Sequence, residues 1–136
     1  NDDYKMEIMI VMDGTNINNN DWNKQKIQIN KMIMNIKNNT KISVQQMGYP
    51  TLSSDNNVLN ITKIDTDIRD PYASTHNSMN YFFSNDNDIL KYLVLITTGK
   101  NNQKGVNFCA LNNPLKQNFI QTIIIGVGSE FITAND

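Results

Sequence analysis

The chain of 136 residues contains a single cysteine, Cys109, so no disulfide can close within it, and cysteine usage does not assign a redox compartment. The reading for Cys109 is a small buried or half-buried thiol. There is one arginine against 11 lysines, and the net charge is -1, which does not support a nucleic-acid binder that works through a basic surface. No apolar run approaches the ~20 residues needed to cross a bilayer. The first residues, NDDYK, are acidic and polar where a leader would be basic and then apolar. Neither GxGxxG nor GxxxxGK[ST] occurs, which disfavours a nucleotide-binding fold. The lone histidine, His76, lies in STHNS and is expected on a solvent-exposed loop rather than as a ligand.

What the chain has in excess is asparagine, 24 residues spread through apparent helices and loops alike. Asparagine is a poor helix former and stabilises no core, so this bias reads as a genome-level preference, and Asn18–Asn20 as a loop. Two asparagines, in Asn38-Asn39-Thr40 and Asn60-Ile61-Thr62, match the glycosylation pattern, although such composition produces the pattern by chance.

With an apolar fraction of 39%, the length suits one domain over 1–136 with a core of its own. MEIMIVM at 6–12 reads as a central strand. Beyond it, Trp22, Gln25 or Lys26, Ile29, Met32, Ile33 and Ile36 fall at helical spacing, with Asp21 as the expected cap and Asn38-Asn39 as the stop. Met32 and Met34 read as core or flank packing. Residues 41–49 alternate at Ile42, Val44 and Gln46 and predict a more exposed strand. Residues 51–63 suit an edge strand after a turn at SSDNN. Pro71 disfavours helix at Asp70, so 65–77 reads as a loop, with a short helix near Ser78–Phe83 whose apolar side is Met79, Phe82 and Phe83. YLVLITTG at 92–99 and QTIIIGVG at 121–128 read as strands, joined by a loop and crossover over 101–119.

The three strongest strands are continuously apolar, the pattern of strands covered on both faces. The predicted fold is therefore α/β: a doubly wound, mostly parallel sheet with helices on both faces. Ligands of such sheets bind beyond the carboxyl ends of the strands, which gathers Asp13, Thr15, Thr97 and Thr98 on one rim. A hard cation such as Mg²⁺ takes oxygen ligands, usually with one or two carboxylates and several waters. Asp13 and the hydroxyls of Thr15, Thr75 and Thr98 supply one carboxylate and three neutral oxygens. The other reading is a rim of hydroxyls that caps strand and helix ends through local hydrogen bonds.

IMIVMDGTNI at 8–17, YLVLITTGKNN at 92–102 and IIIGVG at 123–128 together resemble the von Willebrand factor type A, or integrin I-like, domain. RDPYASTHNSMNYF at 69–82 is similar to the threonine loop and following helix of the adhesive A domains of apicomplexan parasites, and Asp13-Gly14 and Trp22 add to that likeness. The resemblance covers nearly the whole chain and implies that the last helix and strand of a full A domain are either missing or outside it. In that family the first strand ends in Asp-x-Ser-x-Ser, a loop provides a threonine, and a later strand ends in Thr-Asp-Gly. Together these hold Mg²⁺, whose coordination an acidic residue of the ligand completes.

The resemblance implies Asp13 as the main charge and Thr15 and Thr75 as direct or water-mediated ligands of Mg²⁺ or Mn²⁺. The motif is degraded in two places. Ile17 occupies the second serine position and has no oxygen to give, and Thr98 replaces the aspartate. The implied ion is thus weakly held or absent.

An aspartyl-phosphate enzyme would need a lysine and further carboxylates around a metal. Lys100 is at hand, but no second rim aspartate is evident, so no catalytic function is expected. The resemblance implies a non-enzymatic adhesion or protein-interaction domain of a secreted or surface parasite protein, in motility or host-cell invasion. Its partner would be a host or parasite surface protein or a glycan, met at residues 13–20, 70–77 and 98–104. It would lie at the cell surface or in a secretory organelle, touching a membrane only through other parts of its parent protein. The alternative is a structural A domain in a tandem array, without metal-dependent binding.

Overall fold

The computed structural model describes residues 4–14, 17–47, 53–63, 71–97 and 112–126. Strand β1 (Met6–Met12) is continuously apolar apart from Glu7, and it lies at the centre of the sheet. β2 (Thr40–Gln46) and β4 (Leu90–Thr97) flank it in parallel. β5 (Ile120–Gly126) pairs in parallel with β4. The two-residue β3 (Ser53–Ser54) pairs antiparallel with β2, giving the order β3-β2-β1-β4-β5. The chain leaves β1 toward β2 on one side and returns to β4 on the other. The order therefore reverses at β1, as in a doubly wound sheet.

Helix α1 (Asn19–Ile36) covers one face. Its buried residues Trp22, Gln25, Ile29 and Ile33 recur every three or four positions, as an amphipathic helix requires. Trp22, Ile29 and Ile33 pack with Ile8, Ile10, Met12, Val44, Val94 and Ile96. The opposite face carries Met9, Val11, Leu93 and Leu95, packed with Met79 and Phe82 of α2 (Pro71–Phe82) and Leu115 of α3 (Asn112–Gln117). Helices thus lie on both faces of a mostly parallel sheet, as the apolar runs predict.

Several local expectations are corrected. Asn18, not Asp21, caps α1: its side chain accepts from the Asp21 N–H at 2.8 Å, and the Asp21 carboxylate lies in the first turn beside the positive helix end. β2 is largely buried, with Val44 in the cluster under α1 and Ser43 and Gln45 on the opposite face, in register with Met9 and Val11, so its polar residues do not mark an exposed strand. Residues 55–60 form a 3-10 helix, and the edge strand is the pair of serines before it. α2 begins at Pro71 and runs for 12 residues. Proline is favoured at a first helical position, where its missing N–H has no partner to lose, so Pro71 starts the helix that it was expected to exclude. β5 is buried only at Ile120, while Ile123, Ile124 and Ile125 are exposed at the sheet margin. Met34 is exposed, whereas Met32 packs at the edge of the core. Cys109 lies outside the described residues.

Candidate functional site at the carboxyl rim of the sheet

The rim is built at the end of β1. The Asp13 N–H donates to Ile96 O at 2.8 Å, and Met47 N–H donates to Met12 O at 2.8 Å, so the ladder continues one residue past the strand on both sides. Asp13 is fully buried. Continuing the pleat of Met9 and Val11 turns its side chain toward the face that α2 covers.

Gly14 follows as a close-approach glycine. A Cβ at this position would meet the side-chain nitrogen of Gln46 at 2.7 Å and Lys63 Cγ at 3.4 Å. The Gln46 amide and the Lys63 stem therefore pack directly on the turn that leaves β1. Lys63 is brought there by α1. Trp22 Nε1 donates to Ile61 O at 3.1 Å, and Lys26 Nζ donates to Leu59 O and Ile61 O, each at 3.0 Å. Trp22, read from the sequence only as a core residue and family mark, thus also anchors the segment that closes one side of the rim. Gln46 and Lys63 were missed by sequence reasoning, because neither belongs to a motif.

Thr75 is not on a loop. It lies in the second turn of α2, 1% exposed, and its hydroxyl finds no hydrogen-bonding partner among the described residues. His76, beside it on the same helix, is half-buried. Ile17 is buried in the cluster that contains Trp22, Ile10 and Met12. Where the resemblance expects a rim hydroxyl, this chain has a core anchor for the loop that enters α1. Thr15 and Thr98 lie outside the described residues.

Two implied ligand positions are therefore described, Asp13 and Thr75. Both are buried, one at the head of β1 and one on the helix packed against that strand. A buried hydroxyl without a partner and a carboxylate fit an oxygen-seeking cation in kind. Among the described residues no three histidine, cysteine, aspartate or glutamate side chains gather, so such an ion would rely on Asp13 for charge and on hydroxyls or water for its other contacts.

No family model and no curated protein matches the chain. It is similar to a solved structure of an aerotolerance-related membrane protein from Bacteroides fragilis carrying multiple mutations to serines. The TM-score is 0.66 at 20% identity, covering 90% of this chain and 68% of that one. At this identity the likeness carries the fold alone. Together with the parallel sheet and its two helical layers, it fits a von Willebrand factor A-like fold. None of the described helices is long and apolar enough to cross a membrane.

Proposed function

We propose that the chain is a non-enzymatic interaction domain that engages its partner at the carboxyl rim around Asp13. The observation that carries this reading is the burial of both described ligand positions, Asp13 at the end of β1 and Thr75 on α2, where the Thr75 hydroxyl has no hydrogen-bonding partner among the described residues. Asp13 ends the strand at which the order reverses, the place where open α/β sheets bind ligands, and Thr75 belongs to the helix packed on that strand; both support this reading. Asp13 and Thr75 would hold Mg²⁺ or Mn²⁺, with Thr15 as the third oxygen ligand and Thr98 withholding the aspartate of the family motif. When bound, the ion offers a coordination position to an acidic group of the partner. The partner is a surface protein or a glycan. The secreted or surface setting, in parasite motility or host-cell invasion, rests on the sequence likeness of residues 69–82.

A second reading is supported by Ile17. Its burial commits the second motif position to the core, which suits a structural A domain in a tandem array without metal dependence. Titration of the purified chain with Mg²⁺ and Mn²⁺, followed by calorimetry and thermal melting, separates the two. Heat and a rise in melting temperature at millimolar metal support the rim site; neither, under the same conditions, removes it. Binding to sulfated glycans or host-cell extracts that survives a chelator favours the second reading.

A further inference from the structure

The seam between α2 and β2 is polar where the rest of that layer is apolar. Parallel register with β1 pairs Ser43 with Met9 and Gln45 with Val11, which places both on the α2-covered face. The inward stripe of α2 is Thr75, Ser78, Met79 and Phe82, at helical spacings of three, one and three. Half of that stripe is hydroxyl.

The lower end of α2 is fixed beside the start of β2, since Lys41 Nζ donates to Phe82 O at 2.6 Å. Thr75, seven residues earlier, lies ~10 Å further up the helix axis. That direction runs toward the carboxyl end of β2, past Ser43 and Gln45. Ser78 lies between Thr75 and Phe82 on the same helix.

All four are nearly inaccessible: Ser43 is 3% exposed, Gln45 1%, Thr75 1% and Ser78 4%. Among the described residues none of the three hydroxyls has a hydrogen-bonding partner, and neither the nitrogen nor the oxygen of the Gln45 amide has one. An unmet buried polar group costs roughly 1–3 kcal/mol, so five such atoms in one seam call for a ligand.

The chemistry of the groups selects it. The Gln45 N–H needs an acceptor, which no metal cation is. The Gln45 carbonyl needs a donor, which no simple anion is. Ser43, Gln45 and Ser78 are neutral, so an ion buried among these three would also lie without compensating charge. Water both donates and accepts, and two to four polar partners are what an internal water requires.

We propose that the α2–β2 seam is a buried hydration site, in which ordered water bridges the Gln45 amide to the hydroxyls of Ser43, Ser78 and Thr75. This goes beyond the rim reading and needs no metal. It makes Gln45 a positioning residue: α2 is seated on apolar side chains over β1 but on water over β2, and that water sets the orientation of the Thr75 hydroxyl.

The test is a crystal structure of the chain grown in chelator, at a resolution that shows ordered water, with nuclear Overhauser spectra between the Gln45 side-chain amide and water. The expected result is at least one water in hydrogen-bonding distance of the Gln45 amide and of one of the three hydroxyls, with a persistent water cross-peak at the amide. A dry seam in which Gln45 bonds directly to Thr75 or Ser78, with no such cross-peak, overturns it. So does ion density at that place. Gln45→Met should abolish the water contacts at Ser43 and Ser78. If that variant does not fold, the wild-type measurements decide alone.

Discussion

Lys41 closes the lower end of α2 through Phe82: its ammonium lies 4.6 Å from the centre of the Phe82 ring and donates to the Phe82 carbonyl. A cation at a helix carboxyl end satisfies an orphan C=O and meets the negative end of the macrodipole. Because Lys41 is only half-buried, the contact is worth less than a fully desolvated pair. Lys41→Met is expected to cost ~1–2 kcal/mol. Urea unfolding measures it, and a midpoint equal to wild type would show that the cap adds nothing.

Glu7 shares this end of the sheet and is the more sensitive position. Its carboxylate accepts from the backbone N–H of Ser84 at 3.0 Å and from the Ser84 hydroxyl at 3.2 Å, and its register neighbours are Lys41 and Lys91. Glu7→Leu removes the acceptor and is expected to cost ~2–4 kcal/mol, while Glu7→Gln keeps an oxygen in place and should cost about half as much. Denaturant titration of both variants checks the ranking. A leucine variant as stable as the glutamine one would assign Glu7 no anchoring role.

These side chains explain how far the sequence could be read. β1 and β4 announce themselves because a strand covered on both faces needs apolar residues at every position. The helical spacing from Trp22 to Ile36 reports the matching face of α1. α2 was half hidden. Thr75 and Ser78 occupy inward positions that periodicity reserves for apolar residues, so the apolar pattern begins only at Met79 and the sequence reads Thr75 as loop. Polar residues of β2 misled in the same way: Ser43 and Gln45 are buried, not exposed. Asp13 was legible because a carboxylate closing an apolar strand is conspicuous. Gln46 and Lys63 were not, since they reach Gly14 only through long-range packing.

Phe119 stores strain in the turn between α3 and β5. Its N–H donates to Lys116 O at 3.2 Å with φ at 56°, and its ring is 71% exposed. A residue with a Cβ loses ~1–2 kcal/mol in this left-handed conformation, and an exposed ring offers little packing in return. Glycine removes that cost but enlarges the unfolded ensemble by ~0.5–1 kcal/mol. Phe119→Gly is expected to raise stability by ~0.5–1 kcal/mol, with Phe119→Asn intermediate. Thermal melting gives the sign, and a lower midpoint for both would mean that the ring carries packing outweighing its strain.

The rim poses a sharper test at Ile17. If the degraded motif were only short of one oxygen, Ile17→Ser would repair it. The side chain is instead buried among Trp22, Ile10 and Met12, so the substitution opens a cavity and buries a hydroxyl. The expected cost is ~2–4 kcal/mol, with no recovery on adding Mg²⁺. Thr98→Asp supplies the family carboxylate, so the melting temperature of that variant should become responsive to Mg²⁺ or more so than wild type. Melting curves of both variants with metal and with chelator separate the roles. A stable Ile17→Ser variant that gains a metal-dependent shift would place position 17 on the rim, and the core assignment would fall.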